Sequence, residues 1–167
     1  MASKETDSVR PRILTIKGRN VLFAKTCGRV ADCSFSELCD RPLGAMDYLT
    51  LAQLFHTVII RDIPPFDLNL KAQARRFITL IDTFYDTKVR CLFSSTVPVK
   101  ELFRVSKSEA ISDDQRALMD DLGINFAEAK GSTDLFSGHE EAFAFDRTVS
   151  RINEMKSREY WNQRQIL

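Results

Sequence analysis

Residues 56–94 change their hydrophobic period twice, and this change constrains the fold more than any other feature of the sequence. The stretch HTVIIR at 56–61 is β-branched and almost wholly apolar in its middle, which is typical of a strand buried on both faces of a parallel sheet. In residues 69–86 the apolar side chains recur at helical spacing, and KVRCLFS at 88–94 returns to a strand pattern. Strand, helix and strand in this order form a right-handed crossover, which predicts a parallel sheet with helices on its faces.

A β-hairpin is predicted upstream of this unit. Short apolar runs at 13–16 and 21–24 flank the sequence Lys17-Gly18-Arg19-Asn20. Gly and Asn tolerate the positive φ that a tight turn requires, so the two runs should pair as antiparallel strands.

The hairpin should lead into a third strand and two short helices. The third strand is expected at 29–33. Ser34 and Glu37 have the spacing of a capping box, which predicts a helix over 35–39. A second helix is expected to begin near Asp47.

The C-terminal third is predicted to be mainly helical. Short helices are expected around Leu102 and over 115–122, and one long amphipathic helix over 140–162. The predicted fold class is α/β: a three-layer domain with a small, mainly parallel sheet, an N-terminal β-hairpin and a long C-terminal helix. Residues 12–167 should form this single domain, after a disordered lead-in at 1–11.

The charge balance argues against a polyanion as the default partner. The 167 residues carry 24 Lys or Arg and 23 Asp or Glu, which gives a net charge of +1, and such a chain has no overall field that would attract nucleic acid. No apolar run approaches the about 20 residues that cross a bilayer, so no membrane span is predicted. The first residues, MASKETDSVRPR, show neither a signal peptide nor a transit peptide.

The sequence contains no pattern for wrapping a polyphosphate. Its six glycines stand at 18, 28, 44, 123, 131 and 138, and no two are five apart, so a phosphate-binding loop cannot be written. VIIRD at 58–62 resembles a strand that ends in a metal-binding Asp, but Ile63 follows Asp62 where a second carboxylate would be needed. We therefore interpret Asp62 as a cap or turn residue.

The cysteines and histidines do not form a recognisable reactive or metal site. Cys27, Cys33, Cys39 and His56 could in principle supply four ligands, but their gaps are wider than those of structural zinc sites. We expect core thiols instead, with His56 a structural imidazole. No catalytic residue and no metal ligand are predicted, although a thiol or zinc site stays open as an alternative.

Three strings carry a family resemblance: SELCDRPLGAMDY at 36–48, ARRFITLIDTFYD at 74–86 and AFDRTVSRINEM at 144–155. In this order they resemble the C-terminal part of the ZapE-like family of AAA+ ATPases. The animal mitochondrial branch, the ATPase-family-gene-one-like or lactation-elevated proteins, is the best match. The resemblance implies a mitochondrial ATPase of protein quality control that uses ATP and Mg²⁺ and forms a homo-oligomer when complete.

The resemblance also implies where the nucleotide chemistry lies. The family's phosphate loop, acidic metal-binding pair and first sensor strand would belong to an N-terminal half outside these residues, as in a fragment or short isoform. This chain should then be unable to hydrolyse ATP alone and should need that half or another protein as its partner. The alternative is a stand-alone, non-catalytic interaction module that docks through its last helix.

Six residues match motif positions of the family. The resemblance suggests Arg147 and Arg151 as weak candidates for nucleotide contact. It suggests interaction roles for the other four positions, Asp47, Tyr48, Arg75 and Arg76. Arg158, on the charged face of the predicted last helix, is a further candidate for an interaction role.

Overall fold

The computed structural model describes residues 8–16, 18–103 and 139–164. The strands within them are β1 (Arg10–Ile16), β2 (Arg19–Cys27), β3 (Val30–Ser34), β4 (Thr57–Ile63) and β5 (Arg90–Ser95). The α-helices are α1 (Phe35–Cys39), α2 (Ala45–Leu54), α3 (Lys71–Asp86), α4 (His139–Met155) and α5 (Arg158–Gln163). Short 3-10 turns lie at Leu68–Leu70 and Val99–Glu101.

The strands form one mixed sheet in the order β1-β2-β3-β4-β5. β1 pairs with β2 and β2 with β3 in antiparallel fashion, whereas β3, β4 and β5 are parallel neighbours. Gly18 (φ +77°) and Gly28 (φ +56°) lie between the antiparallel strands in left-handed backbone, the conformation that glycine adopts at no steric cost. The predicted α/β class, the N-terminal hairpin and the crossover unit are therefore confirmed.

The core lies between the sheet and α3. Five side chains of α3 are buried at helical spacing, namely Ala74, Phe77, Leu80, Ile81 and Phe84. An aromatic cluster continues this core, with Phe66 packed 5.4 Å from Phe77 and 5.0 Å from Phe103 between ring centroids. Aromatic pairs at such offsets add stabilisation beyond the area that they bury.

Capping residues fix where α1 and α2 begin. The Ser34 hydroxyl accepts from the Glu37 N–H at 3.2 Å, and the Glu37 carboxylate accepts from the Ser34 N–H at 2.8 Å, so the predicted capping box is present. Asp47 performs the carboxylate half of the same motif at α2, where it accepts from the Gly44 N–H at 2.8 Å. These contacts satisfy backbone donors that the helices leave unpaired.

The C-terminus of α3 carries a left-handed residue that is not glycine. Lys88 has φ 57°. The Lys88 N–H donates to the Tyr85 carbonyl at 3.2 Å, and the Val89 N–H donates to the Phe84 carbonyl at 2.9 Å. This hydrogen-bond pattern is a Schellman motif, whose left-handed position is usually glycine.

The prediction of one long final helix is wrong, because the segment folds as α4 and α5. The Ser157 hydroxyl accepts from the Tyr160 N–H at 3.1 Å, which makes Ser157 the N-cap of a new helix. Serine favours this local bond over continued helix. The break redirects Tyr160 into the core, where its hydroxyl donates to the Phe84 carbonyl at 3.0 Å and to the Val89 carbonyl at 3.1 Å.

Other boundaries move by a few residues. The chain near Leu102 forms the 3-10 turn rather than an α-helix, and β1 begins at Arg10, inside the segment expected to be a lead-in. The helix expected at 115–122 lies outside the described residues. Among the described helices, none combines the length and the hydropathy that crossing a bilayer requires.

Candidate functional site

Arg147 and Arg151, the candidates for nucleotide contact, both lie on α4 and bind one carboxylate of α3. Arg147 donates from Nη2 to Asp82 Oδ2 at 2.7 Å, and Arg151 donates from Nη1 to Asp82 Oδ1. Arg151 also places Nη2 at 3.8 Å from Asp86 Oδ1. Residues four apart share one face of a helix, so an Arg pair on α4 faces an Asp pair on α3.

Aromatic and acidic side chains surround this ion pair. The guanidinium of Arg151 lies 4.8 Å from the centroid of the Tyr85 ring. The Tyr85 hydroxyl donates to Glu154 Oε2 at 2.7 Å, and this hydrogen bond, together with slight desolvation, raises the pKa of Tyr85. On its other side Tyr85 contacts Lys88, whose Nζ lies 4.4 Å from the ring centroid. We call the six residues of α3 and α4 the Asp82 cluster: Asp82, Tyr85, Asp86, Arg147, Arg151 and Glu154.

The Asp82 cluster has no surplus positive charge with which to attract a phosphate. Its two guanidiniums face three carboxylates. The side chain of Arg151 is 23% exposed and that of Asp82 25%, whereas Arg147 is 53% exposed. A triphosphate would have to displace Asp82 from both arginines to bind here, so the geometry favours a clamp between two helices over a nucleotide contact.

Asp47 and Tyr48 are buried and bind residues of their own domain. Both carboxylate oxygens of Asp47 accept from Nη2 of Arg19, at 2.9 and 3.0 Å, which joins the hairpin to α2. The Tyr48 hydroxyl donates to the Leu38 carbonyl at 2.9 Å, and burial raises the pKa of Tyr48 well above its usual value. The structure therefore gives both residues internal contacts instead of a surface that a partner could reach.

The remaining arginines, Arg75 and Arg76 of α3 and Arg158 of α5, lie outside the Asp82 cluster. Arg76 donates from Nη1 to the carbonyl of Cys39 at 2.8 Å, at the C-terminus of α1, where a cation is favourable. Arg75 is exposed on α3, and Arg158 is exposed in the first turn of α5. Of the seven residues singled out from the sequence, Arg147 and Arg151 meet at Asp82, and Tyr48 and Arg76 bind the neighbouring carbonyls of Leu38 and Cys39 at the end of α1.

Sequence reasoning missed the partners that fix α5. Arg90 donates from Nε to the Trp161 carbonyl at 2.8 Å. Arg164 donates to the Thr87 carbonyl at 3.0 Å and to the Ala52 carbonyl at 2.7 Å, at the C-terminal ends of α3 and α2. Carbonyl acceptors leave no residue-type signal in a sequence, whereas Asp82 and Asp86 could have been found as an i, i+4 acidic pair beside the apolar stripe of α3.

The cysteines and His56 behave as core residues. All four cysteines are free and buried, and burial raises the pKa of Cys33 to about 12, which keeps the thiol protonated and unreactive. His56 Nδ1 lies 2.8 Å from the Thr57 hydroxyl oxygen. No cluster of three His, Cys, Asp or Glu suited to a metal ion occurs within the described residues.

Asp62 and Ser94 lie near the carboxyl ends of β4 and β5. Asp62 has φ 61° and its N–H donates to the Ser94 hydroxyl at 3.0 Å. It lies within β4, at an irregularity in the pairing with β5, and not in the cap or turn predicted for it. An adjacent pocket of about 310 Å³ is lined mainly by apolar side chains, with Ser95 and Lys156 as its polar members. The Ser95 hydroxyl is already bonded to the Ile63 carbonyl at 2.8 Å.

Comparison with known proteins gives one family. The family model described as AFG1-like ATPase matches residues 2–119. The chain is 47% identical over 161 residues to lactation elevated protein 1 homolog B of Danio rerio, an alignment that covers 96% of this chain and 32% of that protein. It is 35% identical to an uncharacterized protein of Schizosaccharomyces pombe (93% and 33% covered) and 31% identical to the cell division protein ZapE of Escherichia coli (76% and 25%).

The chain spans about a third of the length of the animal and yeast relatives and a quarter of the length of ZapE. No solved structure matches it.

Proposed function

The chain belongs to the AFG1-like ATPase family, and on that premise we propose that it is the C-terminal scaffold of a AAA+ ATPase whose nucleotide-binding residues lie elsewhere. In this proposal the chain does not bind ATP by itself. It presents a rigid α/β body on which a nucleotide-binding part, in the same polypeptide or another chain, can be seated.

The Asp82 cluster carries this proposal. A nucleotide site needs oriented N–H donors or unpaired cations for the phosphates, and the two arginines that resemblance nominated are both neutralised by Asp82. Their contacts hold α4 against α3. The sequence also has no glycine pair at phosphate-loop spacing. In this proposal, therefore, the residues of this chain do not hold ATP and Mg²⁺ by themselves.

Nucleotide binding by the purified chain tests the proposal. We expect no saturable fluorescence change with a fluorescent ATP analogue up to millimolar concentration, with or without Mg²⁺, and phosphate release at the buffer background. An Arg147→Ala, Arg151→Ala variant should give the same traces. Saturable binding at micromolar nucleotide that this variant abolishes would show that the arginines contact phosphate, and the proposal would fail.

A second experiment tests the scaffold role directly. The Danio rerio relative can be produced without the third that aligns with this chain, and the chain can then be added in trans. We expect ATP hydrolysis to be low for the truncated relative and to rise on addition of the chain. If the chain has no effect, while the uncut relative hydrolyses ATP normally, the scaffold role is refuted.

The cellular role is proposed from the family alone. By resemblance to the animal branch, we propose that the complete protein is mitochondrial and couples ATP hydrolysis to protein quality control. Fractionation of cells that make the complete protein tests its location. Recovery outside mitochondria would leave the ATPase proposal standing and refute this part.

A further inference from the structure

The hairpin region carries an excess of positive charge, which acidic residues elsewhere in the chain offset. Residues 8–31, which we call the basic hairpin, contain six Lys or Arg and no Asp or Glu, although the whole chain has a net charge of +1. The cations are Arg10, Arg12, Lys17, Arg19, Lys25 and Arg29. A charge block of this kind indicates a local anionic partner even where the overall charge is near zero.

Not all of these cations are available. Arg12 lies over the buried Phe55 ring, 5.7 Å from its centroid, and Arg19 is paired with Asp47 at 2.9 Å. Lys25 and Arg29, by contrast, are exposed. Asp32 is the cross-strand partner of Lys25, but its carboxylate is bonded to Arg61. They are the two cations of the basic hairpin best placed to meet an anion.

The amino-terminal edge of the parallel strands extends this positive surface. The His56 N–H donates to the Arg29 carbonyl and the Arg90 N–H donates to the His56 carbonyl, both at 3.0 Å, so these residues stand at adjacent strand starts. The guanidiniums of Arg90 and Arg164 donate to carbonyl oxygens. Burial lowers the pKa of Arg164, and the neighbouring charges of Arg29 and Arg90 lower it further, which indicates that the cations lie close together.

Three aliphatic side chains of the basic hairpin are also exposed. Ile13 and Leu22 are cross-strand partners, and they are 62% and 45% exposed. Val9, just before β1, is 63% exposed. The one aromatic residue of the basic hairpin, Phe23, is fully buried.

We propose that the basic hairpin binds an anionic lipid surface, with Ile13 and Leu22 inserted between headgroups and Lys25 and Arg29 against the phosphates. Peripheral binding generally needs two signals, apolar insertion and a basic patch, because either alone is weak. Single-stranded nucleic acid would require exposed aromatic side chains for base stacking. The combination of aliphatic and cationic side chains, without an aromatic platform, favours lipid.

Vesicle co-sedimentation of the full 167-residue chain tests this proposal. We expect binding to vesicles of 70% phosphatidylcholine and 30% phosphatidylserine, little binding to pure phosphatidylcholine, and a loss of binding as salt is raised. Ile13→Ser with Leu22→Ser should weaken binding at least fivefold, and Lys25→Glu with Arg29→Glu at least tenfold. All four side chains are exposed, and circular dichroism checks that the variants stay folded.

The control is a charge reversal elsewhere. Lys100→Glu with Lys156→Glu changes the net charge by the same amount at exposed positions outside the basic hairpin, and should reduce binding less than twofold. If both charge-reversed variants lose vesicle binding equally, the binding depends on net charge and not on the basic hairpin, and the proposal is overturned. Tight binding to polyglutamate or oligonucleotides with none to vesicles would also overturn it, since the partner would then be a protein or a nucleic acid.

Discussion

Replacement of Asp82 by Asn tests whether the Asp82 cluster is the clamp that holds α4. The substitution keeps the shape of the side chain and removes its charge. One arginine then loses its acceptor, and the other donates to a neutral amide oxygen instead of a carboxylate. Hydrogen bonds to charged groups contribute about 1.5–3 kcal/mol when partly buried, and an exposed ion pair contributes about 0.2–1 kcal/mol. Arg151 is the more buried arginine and Arg147 the more exposed, so we expect Asp82→Asn to lower the free energy of unfolding by about 2–3 kcal/mol.

Urea unfolding followed by circular dichroism measures this change. Double-mutant cycles should divide it unequally, with a coupling of about 1.5–2 kcal/mol between Asp82 and Arg151 and under about 1 kcal/mol between Asp82 and Arg147. The matched control is Asp86→Asn on the same face of α3. Its carboxylate is 67% exposed and 3.8 Å from Arg151, so its effect should stay within about 0.5 kcal/mol.

Ion pairing at Asp82 does not hold α4 if Asp82→Asn is no more destabilising than Asp86→Asn, or if the larger coupling energy is the one between Asp82 and Arg147. Either result would mean that the arginines of α4 are held by packing rather than by charge. Their side chains would then be available for another ligand, including the phosphates of a nucleotide.

Three further predictions concern backbone and thiol chemistry. Ser157→Ala should lower the free energy of unfolding by about 1 kcal/mol, because the N–H of Tyr160 loses its capping acceptor; an unchanged urea midpoint would contradict this. Lys88→Gly should be about 1 kcal/mol more stable than Lys88→Ala, since the residue has φ 57°; equal midpoints would show that no backbone strain is relieved. Because the pKa of Cys33 rises from 9.0 to about 12 on folding, its contribution to stability is complete below pH 9 and declines as pH rises toward 12, and native Cys33 should resist alkylation at pH 8 until urea unfolds the chain. Rapid native labelling would contradict the buried assignment.

The order of the elements was largely predictable because it depends on local patterns. The Ser34 and Glu37 capping box, the apolar stripe of α3 and the β-branched stretch of β4 are each recognisable within a few residues, and the structure shows all three. The thiols were predictable for the same reason, since cysteines among apolar neighbours are usually buried.

The single final helix was mispredicted through the same reliance on local pattern. Apolar periodicity continues across residues 156 and 157, and nothing in it shows that Tyr160 must turn inward. The contacts of the Tyr160 hydroxyl with the carbonyls of Phe84 and Val89 join residues more than 70 positions apart. Such contacts make a break at Ser157 more stable than a continuous helix, and periodicity does not report them.

The sequence by itself determined the α/β class, the crossover unit and the family, because these follow from hydrophobic period and from motifs read along the chain. Only the tertiary structure decided which side chains Arg147 and Arg151 contact. Ion pairing depends on distance in space, and the carboxylate that neutralises Arg147 and Arg151 lies 65 and 69 residues away on another helix. Resemblance can nominate a charged residue, but whether its charge is free to bind a ligand depends on which side chains folding places beside it.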